Sequence, residues 1–225
     1  MRETLQQKSI RAAEIVHRLK MEYPDSRCSL TFQSPFQLLV ATMLSAQCTD
    51  ERVNLVTPVL FSRFPDAHSM AGATVMEIAE IIRSTGFFNS KSKNISNMSR
   101  LVVAENDGEI PLTMEELVKL PGVGRKTANV LLGTGFGMPG IVVDTHVTRL
   151  AGLLALTKQK DAVKIERDLE KILNKEDWII FTHLIIDHGR AICKARRPQC
   201  SDCVLEDLCP SASPAGNKLP QQSGI

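Results

Sequence analysis

The sequence predicts an all-α protein, and three observations carry that prediction. Apolar residues recur at helical spacing along most of the chain. No alternating strand pattern of convincing length is present, and the β-branched run 141–143 spans only three residues. The eight Phe, one Trp and one Tyr are fewer aromatic residues than a β-rich domain of this size would usually contain.

Composition bounds the class of protein. The 225 residues are 43% hydrophobic and 23% charged, which excludes a wholly disordered chain and allows one large domain or two small ones. The longest apolar stretch, residues 130–143, is interrupted by glycines and a proline, so we expect no bilayer-spanning helix. The N-terminus is charged and amphipathic and not a signal h-region, which predicts an intracellular protein. A net charge of +2 is too small to indicate a nucleic-acid binder by itself.

Two helices are predicted before residue 50. Apolar residues between Ile10 and Leu19 define an amphipathic helix that ends before Pro24. Residues 36–46 are almost all apolar, and their Leu, Ala and Met content favours a buried helix. Ser34 and Pro35 supply its N-cap and its first helical residue.

Capping signals place further helices in the middle of the chain. Thr74 with Glu77, and Thr113 with Glu116, form two capping boxes ahead of apolar residues. Another helix is expected over 90–103.

The C-terminal part continues the helical pattern. We expect a helix over 123–132 after Gly122, stopped by the glycine-rich loop 133–140, and Asp144 as the N-cap of the next helix. The remaining expected segments are helices over 145–156, 163–173 and 178–192, and a polar, Pro/Gly-rich, disordered tail over 211–225.

Four cysteines within 17 residues form the sharpest signal in the chain. Such clustering in a reducing compartment favours metal ligation over disulfides. Both a [4Fe–4S] cluster and zinc accept four thiolates, but zinc ribbons usually pair two Cys-x2-Cys knuckles and only one is present, which favours the cluster. Cys28 and Cys48 stand alone and are interpreted as small buried hydrophobic residues. The predicted ligands are Cys193, Cys200, Cys203 and Cys209.

A basic loop lies between the first two of these cysteines. Lys194, Arg196 and Arg197, with Arg190 just before them, place four cations in eight residues without an acid. A charge run is more often a solvated face. Because ligands on both sides would hold this loop rigid, we favour a phosphate-facing patch.

A glycine hairpin lies between two predicted helices at 120–124. Gly122 and Gly124 leave backbone N–H groups unhindered, and with the following helix N-terminus these groups suit a phosphate. The P-loop pattern does not fit, because Arg125 separates Gly124 from Lys126 and the first glycine of that pattern is missing.

Lys126 and Asp144 suggest chemistry that passes through a cation. The helix N-terminus disfavours an ammonium, partial burial would act in the same direction, and a neutral amine can form a Schiff base. A surface lysine would be the preferred interpretation if Lys126 stood alone. Asp144 as an N-cap stays ionised and could lie near the hairpin. Breaking an N-glycosidic bond suits such a pair.

With these motifs together, the sequence resembles the endonuclease III family of bifunctional DNA glycosylases, in the helix–hairpin–helix superfamily. The resemblance covers residues 1–210. It rests on six motifs: Leu-Ser-Ala-Gln-Cys-Thr-Asp (44–50), Asn-Ser-Lys (89–91), the hairpin and helix (120–130), Val-Asp-Thr-His (143–146), His-Gly-Arg (188–190) and the cysteine loop.

The resemblance implies an organisation and a set of roles. Two all-helical domains would flank a DNA-binding cleft, a six-helix domain (28–138) and a cluster domain (139–210) that packs with the N-terminal helix (1–27). By resemblance, Lys126 is the Schiff-base nucleophile and Asp144 the activating carboxylate. Gln47 fills the hole left by the flipped base, and Phe87 stands where many members carry a leucine wedge. Thr49 and Asp50 in the same motif as Gln47, and His146 beside Asp144, are further candidate site residues by resemblance.

The implied function is removal of oxidised pyrimidines from duplex DNA, with AP lyase cleavage, by a monomer associated with the nucleoid and not with a membrane. The implied partners are duplexes with damaged bases or abasic sites, and the implied cofactor is a [4Fe–4S] cluster. The implied DNA contacts are Gln47, Phe87, Gly122, Gly124, Arg125, Lys194, Arg196 and Arg197. An adenine-mismatch glycosylase is disfavoured by Lys126 and the short tail. A pyrimidine-dimer glycosylase of the same superfamily remains an alternative function. A non-catalytic DNA-binding module is the alternative that is not an enzyme.

Overall fold

In the computed structural model, residues 3–213 are described, and most of them lie in eleven α-helices and several short 3-10 or π turns. No strand occurs within this range. The expected disordered tail lies outside the described residues from 214 onward. No helix in the described range is long and apolar enough to cross a membrane. The chain divides into two compact units, one formed by Cys28–Met138 and the other by Met1–Arg27 with Pro139–Ile225.

The unit Cys28–Met138 is built around one buried helix. Its helices are α2 (Pro35–Leu44), α3 (Asp50–Arg63), α4 (Ala67–Gly72), α5 (Val75–Ile82), α6 (Phe88–Asn106), α7 (Met114–Leu117) and α8 (Arg125–Val130). Every residue of α2 after Pro35 is buried, as its apolar composition predicts. The Ser34 side chain accepts the N–H of Gln37, and Pro35 occupies the first turn, so the predicted cap is confirmed.

The second unit gathers the N-terminal helix α1 (Leu5–Glu22) with α9 (Thr145–Leu153), α10 (Ala162–Glu170) and α11 (Trp178–Ala191). The cysteine loop follows α11. Arg11 of α1 donates to the carbonyls of Leu154 and Leu208, and Arg18 forms an ion pair with Asp207. These contacts attach α1 to the end of α9 and to the segment between the last two cysteines.

Several predicted boundaries are corrected by the structure. The helix expected over 123–132 begins at Arg125, because Val123 donates to the Leu120 carbonyl and belongs to the hairpin turn. It continues through a π turn over Leu131–Gly135. The helix expected over 145–156 ends at Leu153. The box at Thr74 is complete, whereas the Glu116 carboxylate accepts from the Thr113 hydroxyl and not from its backbone.

Candidate functional site

The hairpin between α7 and α8 packs tightly against its own unit. Leu120 and Val123 are each 5% exposed and anchor it in the core. Gly122 has a φ of +77°, and a Cβ there would lie 2.9 Å from the Cβ of Asn94 on α6. A side chain at this position would be both strained and obstructed. Gly124 is exposed and has open space around it, so the backbone remains accessible on that side.

Lys126 is the second residue of α8 and its side chain is exposed. The partial burial considered from the sequence is therefore absent in this structure. No hydrogen bond or ion pair within residues 3–213 holds its amine, which leaves the amine available to a bound molecule. Arg125, directly before it, is also exposed and has a partner within the chain.

Gln47 and Phe87 both occupy left-handed backbone conformations. Gln47 has a φ of +53° in the turn that Cys48 closes by donating to the Ser45 carbonyl. Phe87 has a φ of +49°, directly precedes α6, and is 66% exposed. The sequence predicted these two residues as DNA contacts, and the structure places both side chains on the surface of the same unit as Lys126.

Asp144 caps α9, as predicted. Its Oδ1 accepts the N–H of Val147 at 2.8 Å, and its Oδ2 lies 3.3 Å from Nδ1 of His146. Only 13% of the side chain is exposed. The helix N-terminus stabilises the negative charge and also fixes the direction of the carboxylate. Asp144 and Lys126 belong to different units of the chain.

The glycine of the His-Gly-Arg motif allows α9 and α11 to approach closely. A Cβ at Gly189 would lie 2.9 Å from Cδ2 of His146 and 3.4 Å from Nη2 of Arg149. His146 in turn contacts Asp144. The absence of a side chain at Gly189 therefore leaves room for His146 beside the Asp144 carboxylate. The sequence did not predict this role for Gly189.

The four predicted cysteine ligands line a single apolar cavity. All four are half-buried and none forms a disulfide. The cavity is also lined by Leu150, Leu154, Ile192 and Leu205. Burial raises the pKa of the thiols of Cys193, Cys203 and Cys209, to about 11 for Cys203, so iron must displace protons when it binds here.

The donor set fits a [4Fe–4S] cluster, since four free cysteines of one loop line the same cavity. Within residues 3–213, no three His, Cys, Asp or Glu side chains lie close enough together to hold one metal ion. Zinc requires its sulfurs at about 2.3 Å from one centre, whereas a [4Fe–4S] cluster binds each thiolate through a separate iron. Cys193, Cys200, Cys203 and Cys209 would hold the cluster, and its binding would tie the ends of the loop together.

Two side chains missed by the sequence reasoning contact the cysteine sulfurs. Nε2 of His188 lies 3.3 Å from Sγ of Cys203, and Arg149 donates to Cys193 at 3.7 Å. Burial, with a smaller effect of Arg149, lowers the pKa of His188 to about 4, so the ring is neutral at neutral pH. With a cluster bound, the Cys203 thiolate would accept from Nε2 of His188, and Nδ1 would then accept from the Tyr23 hydroxyl, 3.1 Å away.

The basic loop is compact and exposed. Lys194 and Gln199 both donate their backbone N–H to the Ile192 carbonyl, at 2.9 and 3.0 Å. Lys194, Arg196 and Arg197 are exposed between these points. No carboxylate in the described part of the chain forms an ion pair with any of the three, so their charges face solvent.

Comparison with known proteins identifies the family. The model of the HhH-GPD superfamily of base excision DNA repair proteins matches residues 40–175, and the model of the iron–sulfur binding domain of endonuclease III matches residues 193–209. The second match begins and ends at the outermost cysteines of the loop.

Individual relatives agree with these matches. Endonuclease III of Synechocystis sp. is 57% identical over 91% of this chain and 94% of its own length. The Bacillus subtilis enzyme is 43% identical over 83% of this chain and 86% of its own. The solved structure of a trapped endonuclease III–DNA covalent intermediate superposes with a TM-score of 0.85 at 40% identity, covering 91% of this chain and 96% of that one. The chain therefore belongs to the endonuclease III family, the bifunctional DNA glycosylase/AP lyases of base excision repair, and carries that family's [4Fe–4S] domain.

Proposed function

We propose that this chain removes oxidised pyrimidines from duplex DNA and then cleaves the strand, with Lys126 as the nucleophile and Asp144 as the activating carboxylate. The observation that carries the proposal is the exposed amine of Lys126 directly after the glycine hairpin, which no hydrogen bond or ion pair within residues 3–213 holds. The covalent enzyme–DNA intermediate trapped in a relative 40% identical to this chain supports assigning covalent chemistry to it.

The reaction begins with extrusion of the damaged base, which costs a few kcal/mol and costs least for a damaged pair. Positive charge builds on the sugar as the C1′–N bond breaks and its electron pair leaves with the base. Asp144 stabilises that charge. The lone pair of the Lys126 amine forms a bond to C1′, and proton loss and ring opening give an imine.

The imine makes the strand labile. It acidifies the protons on C2′, and loss of one of them drives β-elimination. The C3′–O bond breaks, its electron pair leaves with the phosphate, and the strand is cut 3′ to the lesion. Hydrolysis of the imine then releases Lys126.

The remaining assigned residues bind DNA or the cluster. Gln47 and Phe87 occupy the space vacated in the helix, and Phe87 acts as the wedge. Arg125 and the backbone N–H groups of Gly122 and Gly124 bind phosphate at the hairpin. Three cations of the cysteine loop bind further phosphates: Lys194, Arg196 and Arg197. The cluster is held by Cys193, Cys200, Cys203 and Cys209. The protein acts as a monomer on nucleoid DNA.

Borohydride trapping tests the nucleophile. Lys126→Ala should lose base excision and covalent trapping but still bind DNA, because affinity comes from the hairpin and the basic loop. Lys119→Ala is the matched control, since Lys119 is also exposed but lies before the hairpin. Near-normal trapping by Lys126→Ala would place the nucleophile at another residue. Cleavage of a panel of duplexes, each carrying one lesion, tests the preference for oxidised pyrimidines.

A further inference from the structure

Two exposed loops of the unit Cys28–Met138 carry strained residues that need support. Gln47 and Phe87 both have positive φ values, which cost free energy for residues other than glycine, above all for a bulky side chain. Such conformations persist only where surrounding contacts hold them, at about 1–3 kcal/mol each. Both side chains point to solvent and cannot supply those contacts themselves.

The buried side chain of Lys91 connects the two loops by hydrogen bonds. Its Nζ donates to the carbonyl of Leu44 at 2.8 Å and to the carbonyl of Thr85 at 2.8 Å. Leu44 is the last residue of α2, three positions before Gln47, and Thr85 lies two positions before Phe87. The backbone N–H of Lys91 also bonds to the Phe87 carbonyl at 3.0 Å.

The environment of Lys91 is unusual for a lysine. The residue is 7% exposed, and burial lowers the pKa of its amine from the usual value. No carboxylate within residues 3–213 pairs with it. Its partners are carbonyl oxygens at helix and turn ends, where a donor satisfies groups that the helix leaves unpaired. Packing alone would be served better by an apolar side chain.

We propose that Lys91 is a positioning residue that joins the loops of Gln47 and Phe87, so that both side chains enter the DNA together when the base is extruded. The inference rests on the proposed function, and Lys91 itself touches neither DNA nor the reacting atoms. Loss of the amine frees both loops at once. Because a displacement of about 1 Å can slow a reaction by two orders of magnitude, a large kinetic effect is expected from a small structural one.

A double-mutant cycle tests the proposal. Lys91→Met keeps an unbranched side chain, one atom shorter than lysine, and removes its donors. Single-turnover excision from a duplex with one lesion should slow by about ten- to a hundredfold in the otherwise wild-type protein. In the Gln47→Ala/Phe87→Ala background, the same change should slow it by less than about twofold, because the side chains it positions are gone.

Stability must be separated from positioning. Val102→Ala removes buried atoms from α6 away from both loops, so it serves as the control for loss of stability. At a temperature where both variants are fully folded, Val102→Ala should excise at the wild-type rate. If Lys91→Met does not fold, Lys91→Gln, which retains an N–H donor, replaces it in the same cycle. Any slowing of excision that it causes must likewise disappear in the Gln47→Ala/Phe87→Ala background.

Each outcome is decisive. If the Lys91 change slows excision equally in the wild-type and the Gln47→Ala/Phe87→Ala backgrounds, the positioning role is overturned. The role is also overturned if Lys91→Met slows excision no more than Val102→Ala does. Absence of excision by the wild-type holoenzyme on every lesion tested would instead refute the proposed function. The two failures are therefore distinguishable.

Discussion

Arg196 and Arg197 provide a quantitative test of the DNA-binding surface. Both side chains are exposed, and neither forms an ion pair within residues 3–213. Pro198 restricts the backbone directly after them. The Arg196→Ala/Arg197→Ala variant should therefore lose phosphate contacts without disturbing the chemistry, and binding to damaged and undamaged duplex should weaken alike.

The magnitude follows from counterion release. Each phosphate contact contributes about 0.9 to the slope of log binding constant against log salt, so loss of two contacts makes the slope shallower by about 1.8. Between about 50 and about 200 mM salt, the wild type should lose about tenfold more affinity than the variant. Excision within the bound complex should be nearly unchanged.

The measurement is the binding constant over a series of salt concentrations, with iron content determined for each protein. Lys158→Ala/Lys160→Ala is the matched control, because these exposed lysines carry the same charge but lie outside every segment assigned to DNA. Its slope should equal that of the wild type. An unaltered slope for the arginine variant at full iron loading would show that the cysteine loop does not touch DNA.

Further predictions concern Asp144, Gly122 and the metal content of the protein. Asp144→Asn should slow single-turnover excision by about a hundredfold or more while changing the melting temperature little, since Asn also caps helices; unchanged excision would remove Asp144 from the mechanism. Gly122→Ala should destabilise the fold by about 1–3 kcal/mol in denaturant titration, because φ is +77° and the new Cβ meets Asn94; a neutral result would contradict the described hairpin. The purified protein should be yellow-brown with about four irons per chain in metal analysis, and a colourless, active zinc protein would overturn the cluster assignment.

Local signals in the sequence were sufficient for most of the secondary structure. Ser34 and Pro35, the box at Thr74, and the N-cap at Asp144 are all confirmed, because a cap is a contact between residues three positions apart. The spacing of the cysteines likewise identified the cluster loop, since its ligands lie close together along the chain. The helix after the hairpin began later than predicted, because periodicity does not distinguish a turn from the first residues of a helix.

The tertiary structure decided how these elements support the site. Lys91 and Leu44 are 47 positions apart, and Tyr23 and His188 are 165 apart, so no local pattern could have joined either pair. The resemblance included Asn-Ser-Lys and His-Gly-Arg without assigning a supporting role to Lys91 or Gly189. Those roles depend on distances between helices. The sequence alone determined most of the helices and caps and named the candidate catalytic residues, because these depend on local spacing, whereas the burial of Lys91 and the close approach at Gly189 arise only when the helices pack.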